Sequence, residues 1–158
     1  MLKRYIAAAI ICFLLSSSIS FAESENDTFN ASDEVISSET IQLNNGCKLI
    51  TTLYKRNQTR SSVSSYKETR FLDSDDTLLW KVVLEATFTY NGYTSSCTSA
   101  SSYSRVYEGN WSERDNNTFA SGNAAVANVT MVRKILFIVV ETQVANLVIT
   151  CDKDGNTQ

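Results

Sequence analysis

The chain has 158 residues, a net charge of −3 and neither histidine nor proline. Lacking histidine, it lacks the usual Ser–His and Cys–His nucleophile–base pairs and most zinc and copper sites. Residues 47–158 carry 12 basic and 11 acidic side chains, so the concentrated positive field that nucleic acid requires is missing.

Lys3 and Arg4 open the chain. An apolar run of about eleven residues follows, and Ser20-Phe21-Ala22 puts small residues where a signal peptidase reads. This pattern predicts a secretory signal over 1–22, cleaved before Glu23. A membrane span would need roughly 18 or more apolar residues, and the run stops at Ser16. Cys12 follows Ile11, not the small residue of a lipoprotein site, and the absence of proline excludes a proline-bearing wall-sorting motif. A freely secreted protein is expected, with no membrane span after cleavage.

Residues 23–46 carry Glu23, Glu25, Asp27, Asp33, Glu34 and Glu39 with no Lys or Arg. Such a segment reads as a disordered acidic spacer. The remainder, 47–158, is large enough for one domain. Lys48 to Lys55 and Ser62 to Phe71 are β-rich, and Asp73-Ser74-Asp75-Asp76 reads as a turn. From Leu78 to Tyr90 the even positions are Leu78, Trp80, Val82, Leu84, Ala86, Phe88 and Tyr90. Period two marks a half-buried strand with Trp80, Phe88 and Tyr90 on the core side. Asn91-Gly92 predicts a type I′ turn, with Tyr93, Cys97, Tyr103 and Tyr107 sharing one parity of the returning strand. Trp111 to Phe119, Ala124 to Arg133 and Glu141 to Cys151 complete the strands. Ile135 to Val140 does not alternate and reads as a doubly buried segment or an apolar crossover. About seven strands and no helix give an antiparallel β-sandwich, immunoglobulin-like in architecture, with a small barrel as the alternative.

Cleavage leaves Cys47, Cys97 and Cys151. In an exported chain two should pair, and Cys97 with Cys151 is the expected bridge because both lie in strand-like sequence. It closes a loop of about 53 residues, worth ~4 kcal/mol in the chain-entropy model. Cys47 is then left to stay buried, to join two protomers, or to pair with either of the others.

Chemistry has few places to reside. Glu85, Glu108, Glu113, Asp115 and Glu141 are the acids from which a hydrolase would draw a carboxylate pair, but isolated acids on strands are ordinarily solvated charges. Asp73, Asp75 and Asp76, and the Asp152-Lys153-Asp154-Gly155-Asn156 stretch, have calcium-loop character. The second lacks the distal Glu, and these residue types are also the common turn formers. Tyr93, Tyr103, Tyr107 and Trp111 would bind sugar rings if they lined one exposed face. Sequons occur at Asn26, Asn30, Asn57, Asn110, Asn116 and Asn128, as frequent Asn, Ser and Thr would produce by chance, and they matter only in a glycosylating source.

The order Leu79-Trp80-Lys81-Val82, Thr87-Phe88-Thr89-Tyr90-Asn91-Gly92, Cys97-Thr98, Trp111, Gly122-Asn123-Ala124 and Thr150-Cys151-Asp152-Lys153-Asp154-Gly155 resembles a family of small secreted proteins from Gram-positive, clostridium-like bacteria whose function is unknown. The resemblance covers residues 71–156. It implies a bacterial exported protein and the Cys97–Cys151 pairing, and Cys47 departs from its pattern. No catalytic residue, cofactor or metal ligand comes with it. The expectation is a non-enzymatic extracellular protein acting by contact with an envelope glycan, a host molecule or another secreted protein. The alternatives are a small carboxylate hydrolase and a carbohydrate-binding module.

Overall fold

The computed structural model describes residues 33–158. The signal segment, Cys12 and the first ten residues of the acidic segment lie outside the described residues. Eight strands follow in order: β1 (Glu34–Gln42), β2 (Lys48–Gln58), β3 (Ser62–Leu72), β4 (Leu78–Tyr90), β5 (Ser95–Val106), β6 (Trp111–Ser121), β7 (Ala124–Ile135) and β8 (Ile138–Thr150). The described residues contain no helix. β1 to β5 form one antiparallel sheet in sequential order, and β6 to β8 form a second. An immunoglobulin-like order needs strands that exchange between sheets. Here each sheet is a meander, and the chain passes between them once, at β5–β6.

The even positions of β4 make one side of the core. Trp80, Val82, Leu84 and Phe88 join Leu53, Val63 and Phe71 of the larger sheet. Facing them are Trp111 of β6, the odd residues Ala125 to Met131 of β7, and Ala145, Leu147 and Ile149 of β8. Small side chains on β7 let the sheets approach beside the bulky aromatics of β3, β4 and β6. Phe71 stacks on Trp80 at 5.1 Å and meets Trp111 edge-on at 5.4 Å.

Side chains close both flanks. Ser102 bonds Thr118 at 2.6 Å and Ser104 donates to Glu113 at 2.7 Å, joining β5 to β6. Opposite, Ser65 bonds Thr157 at 3.0 Å, and Lys67 Nζ reaches the Val148 carbonyl of β8 at 2.5 Å.

Four expectations are corrected. β1 occupies Glu34–Gln42, inside the segment expected to be disordered, and raises the strand count to eight. It pairs with β2 while every residue in it stays exposed; backbone pairing, not burial, makes it a strand, so no hydrophobic pattern announces it. The Asn91-Gly92 turn is a four-residue loop, with Tyr90 opposite Ser95. Only Gly92 has positive φ, because the Asn91 carboxamide accepts from the Tyr93 and Thr94 amides and widens the turn. A bulge at Thr98 breaks the expected parity of β5: Cys97 lies opposite Phe88, and Tyr103 opposite Val83. The fourth correction concerns Ile135–Val140.

Candidate functional site

Ile135 to Val140 is neither doubly buried nor a crossover. It is the tip of the β7–β8 hairpin, and all six side chains are exposed. Phe137 is 98% and Leu136 85% exposed, with the other four between 45% and 68%. Ile135 lies opposite Ile138, so Leu136 and Phe137 alone make the turn. Both have positive φ, 48° and 70°, the combination of a type I′ turn that normally selects Asn-Gly. Each bulky L-residue there costs about 1–2 kcal/mol.

The base of the tip is held firmly. The Lys134 amide donates to the Asn110 carbonyl at 2.9 Å, Arg133 lies 3.6 Å from Glu141, and buried Trp111 is the β6 partner of Arg133. Backbone strain and exposed apolar side chains coincide at one place, which sets the tip apart from an ordinary turn.

The outer face of the larger sheet carries a shallow polar trough of about 300 Å³ lined by Arg56, Asn57, Ser64, Glu85, Thr87 and Ser99 among others. Arg56 bonds Glu85 at 3.2 Å and covers the Tyr66 ring at 4.8 Å. Tyr54 stacks on Tyr66 at 4.6 Å. The Tyr66 hydroxyl donates to Asp33 at 3.1 Å, and burial, then that bond, push its pKa up. Beside the trough Glu68 and Lys81, 2% and 3% exposed, form an ion pair at 3.2 Å, with Arg70 on the other Glu68 oxygen.

The acids marked in the sequence do not gather. Glu85 is the trough's single carboxylate, Glu113 is held by Ser104, Glu141 faces Arg133, Asp115 lies opposite Thr130 across a bulge, and Glu108 sits in the β5–β6 connection. The aspartate turns satisfy their own backbone. Asp73 Oδ1 accepts from the Asp75 and Thr77 amides, both at 2.9 Å, and Asp76 pairs with Lys48. Asp152 accepts from the Asp154 and Asn156 amides and from the Asn156 side chain. These contacts, with the Asn156 side chain foremost, hold its carboxyl below the usual range. Among the described residues no three His, Cys, Asp or Glu side chains form a metal-binding group.

The aromatics are dispersed. Trp111 is buried, Tyr93 projects from the β4–β5 loop, Tyr103 lies along β5, and Tyr107 sits at the far end.

All three described cysteines are free thiols, so the expected Cys97–Cys151 bond is not formed in the structure. Each sulfur instead donates to a nearby carbonyl: Cys97 to Ser99 at 3.3 Å, Cys151 to Asp152 at 3.4 Å. The two residues nonetheless converge on one turn, since the Cys97 amide bonds Gly122 and the Cys151 amide bonds Asn123. Burial raises the pKa of both thiols; Asp152 and then Cys97 raise that of Cys151 further. Cys47 sits half-buried at the opposite end, its thiol pushed up by burial and by Glu141 and Asp73.

Sequence reasoning missed the tip because a run of six apolar residues reads as interior. A signal was present: the core positions on both sides of this run, in β7 and β8, are odd-numbered, as an antiparallel hairpin turning within the run would give. No family model, curated protein or solved structure matches the chain.

Proposed function

We propose that this is an exported, non-enzymatic β-sandwich protein of a Gram-positive bacterium that works by surface contact with an envelope, host or secreted partner. The observation that carries the reading is the strained apolar β7–β8 tip, which leaves large hydrophobic side chains facing outward. Contiguous exposed apolar surface marks interaction sites. The cavities support the same reading: the Arg56 trough is shallow, and its lone carboxylate is engaged by a cation. A glycosidase-type pair needs two carboxyls about 5–10 Å apart. A sugar-binding module would present aromatic faces in a row, and the exposed aromatics stand on separate elements.

Binding of labelled protein to bacterial envelopes and to host-cell surfaces, run beside glycosidase, esterase and protease assays, tests this reading. Saturable binding to one surface without turnover is expected. Turnover that disappears in Glu85→Gln overturns it.

Export predicts a mature N-terminus at Glu23 in culture supernatant. It also predicts oxidation of Cys97 and Cys151. Molecular oxygen or a secreted disulfide accepts two electrons, two protons leave, and one S–S bond forms across the Gly122-Asn123 turn, tying β5 to the end of β8. Intact mass after alkylation should show one blocked thiol, Cys47. Three alkylated thiols in supernatant protein would refute the pairing.

A further inference from the structure

We infer that the β7–β8 tip inserts into the acyl region of a phospholipid bilayer, an inference that rests on the surface-contact reading and names what is contacted. Ile135, Val139 and Val140 are exposed behind a turn whose Leu136 and Phe137 side chains are almost fully bare. A projection apolar on both faces and at its end is matched by surroundings that enclose it, as lipid does. A flat protein face would leave half of it in water.

An aromatic side chain carries about 150–250 Å², so the tip offers on the order of 600 Å² of apolar surface. A standard protein interface takes about 800 Å² from each partner. Two grooves among the described residues offer the tip of a second copy no apolar seat. The trough at Arg56 and the groove beside Tyr90 and Asn91 are lined by hydroxyls, amides and one ion pair.

Beyond the Arg133–Glu141 pair the hairpin extends only a few residues, roughly 7–10 Å at strand rise. That is the depth of interfacial insertion and far short of a span. The Ile135–Ile138 pairing satisfies backbone groups that lipid would otherwise leave bare. Exposed Lys134 stands at the collar, with Arg133 behind it and Glu141 on Arg133. A lysine at that level lies beside lipid phosphates while its stem stays apolar. The β5–β6 connection that braces Lys134 also carries half-exposed Tyr107, a residue type favoured at membrane interfaces. Because the chain as a whole is anionic, the drive is apolar, and neutral lipid suffices.

The test uses the full chain and phosphatidylcholine vesicles. In flotation, wild type should partition at least tenfold more strongly than the Leu136→Asp/Phe137→Asp variant carrying the same N-terminus. The variant should melt no lower than wild type, because both side chains are exposed and aspartate tolerates positive φ. In Phe137→Trp, vesicles should shift tryptophan emission to shorter wavelength, and lipids brominated near the headgroup should quench it. Equal flotation of wild type and the Asp variant, or unshifted emission from Phe137→Trp, overturns the inference. So does a lipid-free dimer in sedimentation that the Asp variant dissolves, which would make a second copy the occupant. If vesicles fail while envelope or host binding persists and needs the tip, the surface-contact reading stands and the lipid assignment falls. If no surface binds, both fall.

Discussion

Asp152 shows how much a single side chain organises at the C-terminal end. Its carboxylate gathers residues 154–156 into a turn, Cys151 bridges to Thr157, and the Gly92 amide donates to the Lys153 carbonyl. The turn places Gly155 against the Tyr90 ring at φ +86°, where an added methyl would overlap the ring. The residues legible in sequence as a calcium-like loop are thus a hook that locks the chain end to β4. Folding lowers the Asp152 pKa, so the ionised form is the one the fold favours. Its contribution is complete above the unfolded value near 3.9 and drains away as pH falls through the lower folded value. Asp152→Ala should therefore cost about 1 kcal/mol at pH 6, after allowance for solvent screening. The gap in melting temperature from wild type should close toward pH 2. A gap independent of pH would show that the carboxylate charge plays no part.

Among the elements, β4 was the most readable and the hairpin turns the least. The apolar even positions from Leu78 to Tyr90 fixed the orientation of the aromatic core, but the face expected to be solvated is buried at Lys81 and Val83. Turn chemistry misled in both directions. Asn91-Gly92 holds the preferred dipeptide and forms a wider loop, because Asn91 bonds two amides ahead of it. Leu136-Phe137 holds none of the preferred residues and makes the tight turn, because the register of β7 and β8 leaves only two residues to close it. Relieving that conflict should stabilise the fold. Leu136→Asn/Phe137→Gly is expected to gain about 1–2 kcal/mol in denaturant unfolding, the strain relieved at both positions less the extra chain entropy that glycine loses. It should also weaken surface binding, the usual cost where strain serves a function. A variant less stable than wild type would mean that the tip side chains contribute to folding.

Over the whole molecule, all-β architecture with antiparallel pairing was legible because alternation, turn residues and the lack of helical periodicity agree. The division into two meanders was not, since nothing local tells a strand which of two sheets it will join. The exposed β1 was hidden because backbone pairing alone holds it, and no buried face leaves a hydrophobic alternation to read. The β7–β8 tip was misread because burial was inferred from apolarity alone, and Ile135–Val140 breaks that link.

The reach of Lys67 across to the Val148 carbonyl has its own consequence. β8 is a terminal strand of the smaller sheet, with Val144 and Val148 exposed along it, the kind of border on which foreign strands polymerise. A half-buried ammonium, its pKa lowered by desolvation, sits on that border like a stopper. Lys67→Met keeps the packing stem and should melt within a few degrees of wild type. In concentrated solution it should nonetheless thicken into thioflavin-positive fibrils under conditions expected to leave wild type clear, and a clear solution after prolonged storage would dismiss the stopper.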